Sequence, residues 1–171
     1  LDVYVRTLSA SATTGIVIAG GRTMRCAIGR GGIGARKREG DGASPRGAWR
    51  VMWAVYRCDR VRRVAAGVPM RPIRETDGWC DAPADRNYNR PVRLPYPASA
   101  ERMHRDDGLY DYVVVLDYNM NARRRGLGSA IFLHCARDGY APTAGCLALS
   151  RADLQWLLRR LTPRSRVRFG V

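Results

Sequence analysis

Residues 130–149, Ala-Ile-Phe-Leu-His-Cys-Ala-Arg-Asp-Gly-Tyr-Ala-Pro-Thr-Ala-Gly-Cys-Leu-Ala-Leu, decide how the rest of the chain is read. The run Ala130–Leu133 is apolar and short, as a buried strand should be, and it ends on His134. A polar stretch with glycine and proline follows. Small residues, Thr143-Ala144-Gly145, then make a turn into an apolar segment marked by Leu147 and Leu149, with Cys146 at its entrance. Strand, turn and strand follow one another with no helical period between them.

The same grammar extends outward. Tyr112–Leu116 is a β-branched run that reads as a second central strand. Val3–Leu8, Gly15–Ala19, Thr23–Ile28 and Trp49–Tyr56 alternate apolar and polar residues in places, with glycines between them, which predicts a β-meander. Near the end, Ser150 precedes Asp153 and a helical recurrence of Leu154, Leu157, Leu158 and Leu161 before Pro163, the pattern of a capped helix with a stop. Arg166–Phe169 supplies a last strand. Between positions 58 and 108 the residues turn to Pro, Asp, Arg and Asn with isolated aromatics, so a long irregular insertion is expected there, of the kind that frames a site. The expectation is therefore one domain over 1–171, mainly β, a sandwich or barrel with one C-terminal helix.

Bulk properties bound the function. The 171 residues suffice for one hydrophobic core. The apolar runs, such as the five residues from Tyr112, are far below the roughly 20 needed to span a bilayer. The chain opens at Leu1 rather than at Met, which is compatible with export and a removed leader. Lys and Arg number 30 against 15 acidic residues, a net charge of +15, and Lys37 is the single lysine. An anionic partner follows, and a basic nucleic-acid-binding domain is the alternative of another class. The arginines are scattered, however, and their tightest clusters, at 60–63 and 123–125, are short. Five cysteines (26, 58, 80, 135 and 146) cannot all pair within one chain, so at least one thiol stays free, as an inert buried side chain or as a nucleophile.

Three constellations compete for the chemistry. Gly29-Arg30-Gly31-Gly32-Ile33-Gly34 matches a dinucleotide-binding turn in letters, but Arg36 to Gly42 lead into Ser44-Pro45 instead of opening a helix toward a pyrophosphate. His134, Cys135 and Cys146 fit no zinc spacing, and Cys80 and His104 stand apart from them, so no metal is expected. The third is a cysteine and histidine pair. Only His104 and His134 carry an imidazole, and His134, at a strand end, is held more rigidly than His104, which sits among Arg102, Arg105, Asp106 and Asp107. Cys146 lies at a turn that can expose a thiol and converge backbone N–H groups on an oxyanion, while a nearby imidazole favours the thiolate.

Ile131-Phe132-Leu133-His134 continuing to Thr143-Ala144-Gly145-Cys146 resembles the active-site signature of L,D-transpeptidases of the YkuD type, in which a histidine is followed by S/T-x-G-C. Upstream, Gly40-Asp41-Gly42-Ala43-Ser44-Pro45-Arg46-Gly47-Ala48-Trp49 resembles the family's glycine-rich stretch ending in TPxGxF, with Ser44 for Thr and Trp49 for Phe. The matches run from about Ile28 to Leu149. The resemblance implies a YkuD-like β fold, Cys146 as nucleophile, His134 as base, and the amides of Gly145 and Cys146 as oxyanion donors, with Thr143 shaping the turn. It implies peptidoglycan stem peptides as partners, no cofactor, carbapenem-type inhibitors, and a periplasmic or cell-wall location. Two departures stand out: Cys135 replaces a glycine after the histidine, and Ala148 replaces an arginine two places after the cysteine. Arg137 is the substitute expected to grip a substrate carboxylate. Trp79, Tyr88, Asn89, Glu101 and Tyr110 are expected on a wall that holds an extended peptide; loop packing is the plain alternative for each. The expected reaction is a transpeptidation through a thioester, in a 3-3 register or a non-standard one such as 1-3. Hydrolysis, as a carboxypeptidase or an amidase, is the alternative within the same chemistry.

Overall fold

The computed structural model describes residues 1–170. In chain order its strands are β1 (Asp2–Arg6), β2 (Thr14–Ala19), β3 (Arg22–Ala27), β4 (Ile33–Gly34), β5 (Ser44–Pro45), β6 (Gly47–Tyr56), β7 (Met70–Pro72), β8 (Asp77–Cys80), β9 (Arg90–Arg93), β10 (Ala100–Arg102), β11 (Tyr112–Leu116), β12 (Phe132–Cys135) and β13 (Leu147–Leu149), followed by helix α1 (Arg151–Leu158) and β14 (Arg166–Phe169). The large sheet runs β11-β12-β13-β3-β2-β1-β14-β6, and a further pairing of β6 with β11 closes it into a ring, with β7 added along β6. Closure leaves these eight strands without free edges.

The meander β1-β2-β3 forms as the alternation predicts, and β11 and β14 occupy the expected residues. Ser150 caps α1: its side chain accepts from the Asp153 amide. Leu154, Leu157, Leu158 and, beyond the helix, Leu161 are all fully buried in the ring's main apolar cluster. Two expectations are corrected. The insertion over 58–108 is not wholly irregular, because it carries β7 and a separate three-stranded sheet, β10-β8-β9. The strand expected at Ala130–Leu133 lies two residues later, because Ala130 takes a left-handed conformation (φ 52°) that cannot extend the ladder.

The second sheet sets the site. Its Trp79 and the nearby Met103 lie in an apolar cluster with Val113, Val115 and Phe132 on the face of β11 and β12 that points away from the ring's interior. That explains why β11 is buried along its whole length. β12 and β13 pair in parallel, Leu133 beside Leu147 and His134 beside Ala148. The chain between them must therefore return to the start of β12, which brings the Thr143–Cys146 turn to the level of Phe132.

Gly29–Gly34 holds no nucleotide-binding turn. It is a crossing of backbones, since a Cβ at Gly32 would stand 1.9 Å from the Ala10 carbonyl oxygen. No helix among the described residues is long and apolar enough to cross a membrane.

Candidate active site

Alternation along β12 puts Phe132 and His134 on one face, and alternation into β13 does the same for Cys146 and Ala148. The His134–Ala148 register makes Cys146 a diagonal neighbour of His134, a separation that a ring side chain spans. Both line one cleft of about 400 Å3, together with Thr143, Tyr110 and Arg137. Ala148 lines it too; its methyl group leaves the space beside the imidazole to the ring.

The turn is built to hold the thiol. Thr143 is clamped to the barrel by Thr143 N–H to Ile28 O and Arg30 N–H to Thr143 O, both 2.9 Å. Its hydroxyl donates to the Cys146 carbonyl at 2.7 Å and accepts from the Gly145 amide at 3.1 Å. Gly145 sits at φ 137°, and a Cβ there would meet the Ala43 carbonyl oxygen at 2.8 Å, so only glycine fits. Behind it, the fully buried Ser44 donates to Gly145 O at 2.8 Å and accepts from Gly29 N–H at 2.9 Å. This hydroxyl accounts for the Ser44-Pro45 motif physically: it ties the Thr143–Cys146 turn to the segment between β3 and β5. Thr143 thus already engages the Gly145 amide, one of the two donors expected for an oxyanion.

The Cys146 thiol donates to Ala130 O at 3.1 Å and accepts from Phe132 N–H at 3.4 Å. Burial pushes it up to about 12; the Glu101 carboxylate adds to the push, while the Phe132 amide and the Lys37 ammonium oppose it. His134 Nδ1 lies 2.8 Å from the Cys135 carbonyl oxygen. A carbonyl only accepts, so this bond requires the proton on Nδ1 and leaves Nε2 with a free lone pair. Burial drives the imidazole down to about 4, the Cys135 carbonyl works against that, and Arg105 and Arg137 add to it. At neutral pH the resting pair is thus an uncharged thiol and an uncharged base. Tyr110 fixes the ring from its side, with centroids 5.5 Å apart at 62°, and its hydroxyl donates to Glu101.

The other expected wall residues lie elsewhere. Trp79 is buried, donating to Asn89 Oδ1 at 3.0 Å and packed edge-on to Phe132. Tyr88 is buried, its hydroxyl donating to Glu39 and accepting from Gly128 N–H. Asn89 is buried and accepts from Ala130 N–H at 3.0 Å, so it supports the residue whose carbonyl receives the Cys146 thiol. None of the three lines the cleft. His104 lies outside it as well. Sequence reasoning missed the Cys135 carbonyl, Arg105, Asp81 and Ser129, and no motif marks them; the signal for Ser44 was its place in the upstream motif.

All five cysteines are free thiols, and only Cys58 is exposed. Among the described residues no group of three or more His, Cys, Asp or Glu side chains is arranged to hold a metal ion. A family described as the L,D-transpeptidase catalytic domain (YkuD) matches residues 7–168, nearly the whole chain. No curated protein matches the sequence.

Proposed function

Because the chain belongs to the YkuD family of L,D-transpeptidase catalytic domains, we propose that Cys146 and His134 carry out transpeptidation of peptidoglycan stem peptides through a thioester. The observation that carries this reading is the state of His134: its Nδ1 bond to the Cys135 carbonyl leaves Nε2 unprotonated, on a ring that lines the same cleft as Cys146. As the donor carbonyl approaches, Nε2 takes the thiol proton and Sγ attacks. The Cys146 amide receives the oxyanion. The imidazolium returns its proton to the departing amine, and the acyl fragment stays on sulfur until the side-chain amine of a diamino acid on a second stem resolves it. A thiol near 12 and an imidazole near 4 favour proton transfer coupled to attack over a standing ion pair.

Ala148 occupies the place where many relatives have arginine, and Arg137 lines the same cleft. Arg137 therefore takes the donor carboxylate, and the cross-link is 3-3 or, with the grip displaced, 1-3. The protein works on the cell wall, outside the cytoplasm, and needs no cofactor.

Incubation with purified muropeptides tests the reaction: cross-linked dimers are expected, and shortened monomers alone would replace transfer by hydrolysis. Cys146→Ala should abolish turnover with the circular dichroism spectrum unchanged. Intact mass after carbapenem exposure should show one adduct, on Cys146. An adduct elsewhere, with wall activity surviving the substitution, would remove the assignment. Salt-sensitive nucleic-acid binding that survives Cys146→Ala would favour the basic binding domain instead.

A further inference from the structure

We propose that the wall formed by Asp81, Glu101 and Ser129 seats the ammonium group of the acceptor and thereby decides whether the thioester passes to an amine or to water. The inference rests on the thioester reading above. Three observations carry it.

The first is placement. Glu101 on β10 pairs with Trp79, Asp81 directly follows β8, and the Asp81 amide bonds to the Ser99 carbonyl at 3.2 Å, so both carboxylates stand on the same sheet end. Both line the cleft of Cys146. The same cleft carries Arg30, Arg105 and Arg137, and Arg105 stands 3.9 Å from Glu101, whereas Asp81 makes no ion pair among the described residues.

The second is unmet bonding capacity. Asp81 Oδ1 is buried with no hydrogen-bond partner, while the hydroxyl of Ser129, a residue only 7% exposed, has no partner beyond a contact with the Tyr88 hydroxyl. The Tyr88 hydroxyl gives its proton to Glu39, so toward Ser129 it can only accept, and the Ser129 oxygen keeps its lone pairs for a donor in the cleft. Unpartnered buried acceptors facing a cleft are costly unless a ligand donates to them. An alkylammonium brings three N–H donors on one atom, a number that suits Asp81, Ser129 and Glu101 together.

The third is coupling to the nucleophile. The Glu101 carboxylate already contributes to holding the Cys146 thiol protonated, so it lies within electrostatic reach of sulfur, and burial also raises Glu101 itself. A proton passed from the ammonium to Glu101 removes that field before sulfur must leave as thiolate. The step balances: the ammonium gives one proton to Glu101, and its nitrogen attacks the thioester carbonyl. The C–N bond forms, the C–S bond breaks, and a second N–H proton passes through His134 to Sγ. Thioester and ammonium become amide, thiol and one proton.

The test is the partition of one acyl-enzyme between transfer and hydrolysis. It compares a muropeptide acceptor carrying a free alkylammonium with hydroxylamine, which is uncharged at neutral pH. Asp81→Asn and Ser129→Ala should each lower the transfer-to-hydrolysis ratio about tenfold for the alkylammonium acceptor, and leave it within twofold for hydroxylamine. Glu101→Gln, which can still accept from Tyr110, gives a third reading in the same direction. Ratios that stay level with both acceptors, or fall equally with both, overturn the proposal. A wild-type protein that forms no acyl-enzyme on Cys146 overturns the thioester reading instead, and this inference with it.

Discussion

Strands β11 and β12 show two faces to two surroundings. Toward the ring's interior they present Tyr112, Val114, Leu116, Leu133 and Cys135, packed on the leucines of α1. Toward the added sheet they present Val113, Val115, Phe132 and His134, and here lie Cys146, Tyr110 and Glu101. One face is saturated with apolar contact and does no chemistry. The other mixes aromatic packing with titratable groups whose protonation burial has displaced. A period of two residues therefore separates the face that packs the ring's interior from the face that lines the cleft.

Substitutions that respect or violate this division sharpen it. The largest effect belongs to the outer face: His134→Gln should slow carbapenem acylation of Cys146 by roughly 10^2 to 10^4, the range for a lost general base, with the melting transition preserved. On the inner face Leu133→Ala should cost about 2–5 kcal/mol in urea unfolding, because Leu133 is fully buried in a cluster that cannot collapse around the gap.

Acid should weaken the fold through the outer face. The imidazole of His134 titrates near 4 when folded and at its ordinary 6.5 when unfolded, so the unfolded chain binds the extra proton between those values. The stability is whole above pH 6.5 and is lost as pH falls toward 4, by about 3 kcal/mol. His134→Gln should flatten that part of the pH profile; equal slopes in wild type and variant would show that His134 is not the group responsible. The smallest effect is expected where the faces meet the turn. Ser44→Ala strands Gly29 N–H and Gly145 O, and should cost roughly 1–3 kcal/mol while slowing acylation, whereas Ser44→Thr, which keeps the hydroxyl, should preserve both.

The two faces were not equally legible in the sequence. Tyr112–Leu116 and the capped helix after Ser150 announce themselves, because burial pattern and capping are local properties. The three-stranded sheet β10-β8-β9 does not: its strands have three or four residues, contain Arg90, Pro91, Arg93 and Arg102, and are defined by partners across loops. The displacement of β12 was hidden for a related reason, since the conformation of Ala130 depends on a bond to Asn89, 41 residues away. That Cys146 and His134 share one cleft was legible from their spacing and motif. Their orientation was not, because the partner of His134 is a main-chain oxygen, and every residue has one.

The parallel pairing of β1 with β14 carries a consequence for vectorial synthesis. Residues 166–169 fill the slot between the first strand and β6. Until that segment has emerged from the ribosome both flanking ladders stay open, and a barrel missing one stave neither encloses its leucines nor draws the cysteine loop taut. A nascent chain thus carries sulfur and imidazole unassembled, and the cleft they share exists only when the last stave drops in.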